Sequence, residues 1–169
     1  MLFLLFQLGA DRYALEAARV AEILPLVQVR PLPQAPPGLS GVINYRGRPV
    51  PVIDLCELAL DRAAHSRMST RIVLVECEAG LGAGSLIGLI AESVTATFRR
   101  ERSDFVESGI ANPATPYLGP VTVLHKGQEM SAGAAARGSG AGELVQWIDP
   151  LALLTPAVRA VLRQTVAGG

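Results

Sequence analysis

Apolar residues in this chain come in short blocks, and glycine or proline closes nearly every one. Blocks at residues 2–8, 41–45, 50–54, 71–77, 85–91, 117–124 and 144–148 are each of strand length. Few segments sustain the three- to four-residue spacing of an ordinary helix for long. Many short strands joined by regular turns, with only short helices, predict an all-β chain with short helices, built as barrels or sandwiches.

The first run, Leu2–Leu8, is followed by the turn-like Gly9-Ala10-Asp11-Arg12 and a second apolar stretch at Tyr13-Ala14-Leu15, a hairpin signal. From Glu16 the spacing changes. Val20, Ile23 and Leu24 recur at three and four residues until Pro25, which predicts a short amphipathic helix. Val27 and Val29 alternate with polar neighbours, and prolines 31, 33, 36 and 37 with Gly38 then make a stiff connection. Next come two β-rich stretches around Arg46-Gly47-Arg48, where Gly47 can supply the positive φ of a tight hairpin. Pro49 and Pro51 lack N–H groups, so their strand should lie on an edge or pair irregularly. Asp54 with Glu57 predicts a capped, brief helix through Leu60, and residues 61–70 read as a polar loop.

Further along, residues 71–77 and 85–91 read as two strands joined by a glycine-rich turn at 80–84. Val94, Ala96 and Phe98 alternate as a further strand, and 117–124 and 144–148 complete the β content. Between those last two, Gly, Ala and Ser dominate residues 127–142, which predicts a flexible insertion. Asp149-Pro150 and Thr155-Pro156 are helix starts, and Val158, Val161, Leu162 and Thr165 mark one face of a helix in the 156–169 tail. With 169 residues, the whole chain reads as a single domain or two intimately packed subdomains.

Composition narrows the function. Lys plus Arg equals Asp plus Glu at 15 each, so the basic excess of a nucleic-acid or anionic-membrane binder is missing. Aromatics at 5% leave little for base stacking. The opening Met-Leu-Phe-Leu-Leu-Phe lacks a positive n-region and a clean cleavage site, and no run approaches the roughly 18 apolar residues of a membrane span. Cys56 and Cys77 show no CxxC spacing and read as free, buried or part-buried thiols, so a cytoplasmic location is expected.

Chemistry is sparse. His65 and His125 are the two histidines, both in surface-like contexts, and no further ligands at short spacing point to a metal site or a cofactor. Cys56 sits in a predicted helix without an oxyanion motif, so a catalytic Cys–His pair is not expected. Gly80-Leu-Gly-Ala-Gly84 is followed by a strand-like segment rather than the helix of a dinucleotide loop. Glu22 and Arg46, each set in apolar sequence, admit two readings: solvated charges, or an ion pair on a recognition surface that orients a partner. A small-molecule-binding barrel acting as a sensor is the rival from a different class, and a hydrolase using Cys56 a third.

Gly41-Val-Ile-Asn-Tyr-Arg-Gly-Arg-Pro-Val-Pro-Val-Ile-Asp-Leu resembles the signature segment of CheW-type chemotaxis coupling proteins, G-V-x-N-L-R-G-x-x-x-P-V-x-D-L. The order of the other segments is similar from about residue 2 to residue 155. That resemblance implies two packed five-stranded SH3-like barrels and a non-enzymatic adaptor. Its implied partners are the regulatory domain of a CheA-type histidine kinase and the cytoplasmic hairpin tip of a chemoreceptor. By the same resemblance Val20, Glu22, Ile72, Val73, Gly88 and Val94 fall near a receptor-binding groove. Asn44, Arg46 and Gly47 fall on the kinase-binding side of the first barrel, beside the receptor-facing one. Tyr45 stands where Leu is usual, Cys56 where a basic residue is common and Glu92 where Asp is typical. These departures suggest a dedicated partner set, as in a Wsp-like surface-sensing pathway.

Overall fold

In the computed structural model the described residues are 1–77, 84–109, 112–131 and 141–167. The chain is mostly strand. In order come β1 (Leu2–Leu8), β2 (Asp11–Glu16), β3 (Val20–Pro25), β4 (Leu39–Tyr45), β5 (Arg48–Asp54), helix α1 (Leu55–Leu60) and β6 (Arg71–Glu76). They are followed by β7 (Leu86–Arg99), β8 (Leu118–Leu124), β9 (Glu129–Ser131), β10 (Glu143–Ile148) and helix α2 (Pro156–Ala167), with single 3-10 turns at Ala17–Arg19, Arg102–Asp104 and Pro150–Leu153.

Two ladders share β7. Its first half pairs with β6 and, in parallel, with β5; β6 carries β3 and β5 carries β4. Its second half pairs with β1 and β9, and the ladder continues through β2 and β10 to β8. The changeover lies near Ser93, a non-glycine residue at φ 48°, where the strand bends out of one ladder into the other. The residue pattern explains why so long a strand can do this. Ile87, Leu89 and Ala91 face a cluster with members from both ladders, whereas Ala96 and Phe98 fill the second ladder's own interior with Phe3, Leu5, Ala14 and Val145. A third cluster, of Ile43, Val50, Val52, Ile72, Leu74 and Ile90, fills the first ladder.

Several expectations are corrected. The segment from Glu16 is not an amphipathic helix: it turns once at Ala17–Arg19 and runs on as β3, paired with β6. Exposure alternates strictly along β3, with Val20, Glu22 and Leu24 half-buried and Ala21, Ile23 and Pro25 exposed, and the apolar Ile23 on the exposed face makes the sequence spacing imitate a helix. Val94, Ala96 and Phe98 do not form a strand of their own but continue β7. Within the expected insertion at 127–142, Glu129–Ser131 is a strand on the edge of β7, and residues 132–140 lie outside the described residues, as do 78–83 of the glycine-rich turn.

Other expectations hold. The opening hairpin forms, α1 ends at Leu60, and Asp54 caps it by accepting from the N–H groups of Cys56 (2.9 Å) and Glu57 (3.3 Å). Pairing of β5 with β7 begins only at Val52, past the two prolines, which lie on the β4 side. Val158 and Leu162 of α2 are buried; the side chain of Thr165 lies outside the described set. Cys56 and Cys77 are both buried. At the mouth of the second ladder, Arg12 on β2 forms ion pairs with Glu129 on β9 and with Glu143 on β10 (2.7 Å), tying β9 and β10 to β2.

Candidate protein-binding surface

The signature segment folds as the β4–β5 hairpin. Arg46 and Gly47 form its two-residue turn, both at positive φ (51° and 80°), a backbone that matches the twist of the flanking strands. Asn44 closes the turn from inside, its Oδ1 accepting the Gly47 N–H at 2.9 Å. That leaves the Arg46 side chain standing out at the tip, 76% exposed.

Glu22 meets this tip across a gap. On β3 the carboxylate accepts the Tyr45 hydroxyl, and its Oε2 lies 3.5 Å from an Arg46 guanidinium nitrogen. The Arg46 guanidinium in turn lies 5.1 Å from the centroid of the Tyr45 ring. The hydrogen bond to Glu22 raises the Tyr45 hydroxyl above its ordinary range, with burial adding to the effect. The exposed Glu22–Arg46 pair contributes only about 0–1 kcal/mol. Its consequence is geometric: three side chains bridge β3 and the β4 hairpin, strands of the first ladder that do not pair with each other, and fix the charge pattern of the tip. Tyr45 stands where Leu is usual in the resembling segment, and its hydroxyl is what the third contact needs. Sequence reasoning paired Glu22 with Arg46 but missed Tyr45, whose identity as a departure was the one available signal.

Beside the tip runs a shallow groove of about 630 Å³, walled by Val29, Arg30 and Pro31 on one side and by Val42, Asn44 and Pro49 on the other. Exposed Ile23 and Val27 flank the same end of β3.

The remaining expected site residues divide by burial. Val20 is half-buried at the start of β3. Ile72 and Val73, on opposite faces of β6, are 0% and 1% exposed, because one face of that strand fills the first ladder and the other the shared core. Val94 is also buried. Gly88 is buried opposite Leu74 and Val52; a Cβ there would lie 2.9 Å from Ile72 Cγ2 and 3.2 Å from Val52 Cγ2. Ile72, Val73, Gly88 and Val94 are thus all buried. Gly88→Val should cost about 2 kcal/mol through overpacking. A thermal melt equal to wild type would show that β6 yields at no cost.

Behind α1 lies a buried polar network that the sequence did not reveal. Glu92, 7% exposed, accepts from Arg62 (2.9 Å), from the backbone N–H of His65 (2.9 Å) and Gly9 (3.4 Å), and from the Cys56 thiol (3.4 Å). Burial pushes the Cys56 thiol up to about 12, with the Glu92 hydrogen bond adding to it, so the sulfur stays protonated and unreactive. Asp54 holds the same loop from the other side, accepting the Ala64 N–H at 2.9 Å. His65 and His125 are exposed.

Comparison with known proteins points one way. The family model described as CheW-like domain matches residues 2–157. A protein named chemotaxis protein CheW from Treponema pallidum is 40% identical over 50 residues, 30% of this chain and 29% of that protein. Another of the same name, from Klebsiella aerogenes, is 42% identical over 53 residues, 31% of this chain and 32% of that protein. These alignments thus span under a third of either relative. The crystal structure of the scaffolding protein TtCheW from Thermoanaerobacter tengcongensis superposes with a TM-score of 0.70 at 20% identity, covering 93% of this chain and 89% of that one, which shows a shared fold.

Proposed function

This chain belongs to the CheW-like domain family, whose members are non-enzymatic scaffolds, and from that premise we propose that it is an adaptor coupling methyl-accepting chemoreceptors to a CheA-type histidine kinase. The two ladders are read as the two SH3-like barrels, β7 passing from one to the other: β3, β6, β7, β5 and β4 make the first, and β1, β2, β10, β8 and the short β9 join the second half of β7 in the other, with residues 127–142 as an insertion and 156–169 as a terminal helix and tail. The observation that carries the proposal is the joint one: a family match over nearly the whole chain, and a signature segment folded so that Arg46, Glu22 and Tyr45 stand together at an exposed tip.

The kinase regulatory domain docks on the hairpin side, around Asn44, Arg46 and Gly47. The receptor's helical tip docks on the β3 side, at the half-buried Val20 and Glu22, with Ile72, Val73, Gly88 and Val94 packed in the strands behind them. Binding both at once converts each encounter into a local one, so modest individual affinities add up to a stable assembly. No helix among the described residues is long and apolar enough to cross a membrane; the adaptor works in the cytoplasm and reaches the membrane-associated array through its receptor.

Arg46→Glu reverses the charge at the tip and places it against Glu22. Purified variant should melt as wild type does, because the residue is exposed, and should lose about tenfold or more in affinity for the kinase domain or the receptor tip. A folded variant that retains both partners undiminished would remove Arg46 from the interface.

A further inference from the structure

A second site lies on the other ladder, independent of the coupling reading. Where the end of β10 meets the start of β8 and the turn at Arg102–Asp104, the surface opens into a crevice of about 410 Å³. Its apolar walls are Trp147 and Phe105, with Pro116, Pro120 and Pro150 beside them. Prolines donate no backbone N–H, so these walls offer a ligand little but surface and the π face of the indole.

Charge lines the rim. Glu16, Glu107 and Asp149 face Arg19 and Arg102, three carboxylates to two guanidiniums. Arg19 is loosely paired with Glu16 at 4.0 Å. Arg102 has no carboxylate partner among the described residues; its guanidinium carbon sits 5.8 Å from the Trp147 ring centroid. Glu107 is likewise exposed and without an ion pair among them. Asp149 uses one oxygen to cap the N–H of Leu151 at 3.0 Å, leaving the other.

A guanidinium thus already rests on this indole, held by the ring and not by a carboxylate, while carboxylates stand by uncommitted. We propose that the Trp147 crevice is a binding site for an arginine or lysine side chain presented by another protein, with Trp147 as its platform, Glu107 and Asp149 as its counter-charges, and Arg102 as an internal occupant that the incoming cation displaces. Cation–π contact and a carboxylate rim together recognise such a side chain by its charge, and a guanidinium by its flat shape as well.

Trp147 is the one tryptophan in the chain, so its fluorescence reports on the crevice directly. The full chain is titrated with N-acetyl-arginine amide, with the uncharged isostere N-acetyl-citrulline amide, and with N-acetyl-glutamate amide. A saturable change with the arginine compound, about tenfold weaker with citrulline, is expected. Glu107→Gln should weaken the response severalfold. Arg102→Ala should strengthen it, since the competitor is gone. No saturable response, equal responses to arginine and citrulline, or preference for the glutamate compound would overturn the proposal. Loss of binding in Arg102→Ala would do so too, by making Arg102 part of an anion site.

Discussion

Gly41→Ala is expected to be the most damaging single-methyl change in this chain. Gly41 is buried in β4 at φ 152°, beside a register shift, and its backbone lies against the chain that enters the hairpin. Arg30 and Val42 exchange two backbone hydrogen bonds there, each 2.9 Å. A Cβ on Gly41 would lie 2.0 Å from the Arg30 carbonyl oxygen and 2.7 Å from its carbonyl carbon. Both obstacles are backbone, so relief requires parting the two segments and breaking both hydrogen bonds. The cost should reach about 3–5 kcal/mol, a fall in melting temperature of about 10 °C or more. Gly47→Ala is the matched control. A Cβ there meets nothing within 4 Å, and only its φ of 80° opposes the change, for about 1 kcal/mol. Equal melting temperatures for the two variants would refute the account of why this segment needs its first glycine.

Glu92→Ala should be nearly as costly, and with a distinctive dependence on pH. Burial alone would raise the Glu92 carboxyl. Arg62, the His65 N–H, the Cys56 thiol and the Gly9 N–H outweigh it and hold the group at about 2, against 4.5 ordinarily. Folding therefore favours the ionised form. Its contribution, on the order of 3 kcal/mol, is complete above about pH 4.5 and fades as pH falls through the folded value near 2. In Glu92→Ala, Arg62 loses its carboxylate and the loop after α1 loses its anchor, so stability at neutral pH should drop by a similar amount. Denaturant melts from pH 7 to pH 2 should show the gap between wild type and variant closing with acid. A gap that stayed constant would mean that Glu92 acts through packing and not through charge.

Much of this molecule was legible in its sequence, and the failures share a cause. The hairpins, the α1 cap and the late start of β5's pairing with β7 rest on local chemistry: Gly47 in a turn, Asp54 before a helix, prolines that cannot donate. Partners far along the chain decided what was missed. Residues 20–25 have helix-like spacing, yet Val73, Leu74 and Val75 recruit them as a strand, and the apolar Ile23 on its exposed face disguises the alternation. The continuity of β7 was hidden by Glu92-Ser93, a polar pair that reads as a break; Glu92 is buried there because Arg62, thirty residues upstream, neutralises it. β9 is only three residues long and exists because the edge of β7 is there to receive it. At the candidate surface the ion-pair partners could be read as isolated charges in apolar sequence. The burial of Ile72 and Val73 could not, since it follows from β6 being covered on both faces.

Co-elution of the purified chain with a receptor cytoplasmic tip and a kinase regulatory domain is the most direct trial of the adaptor claim. A single ternary peak, from which the kinase domain is lost when this chain is omitted, is the expected result. Binding of neither partner, or displacement of one by the other, would contradict it.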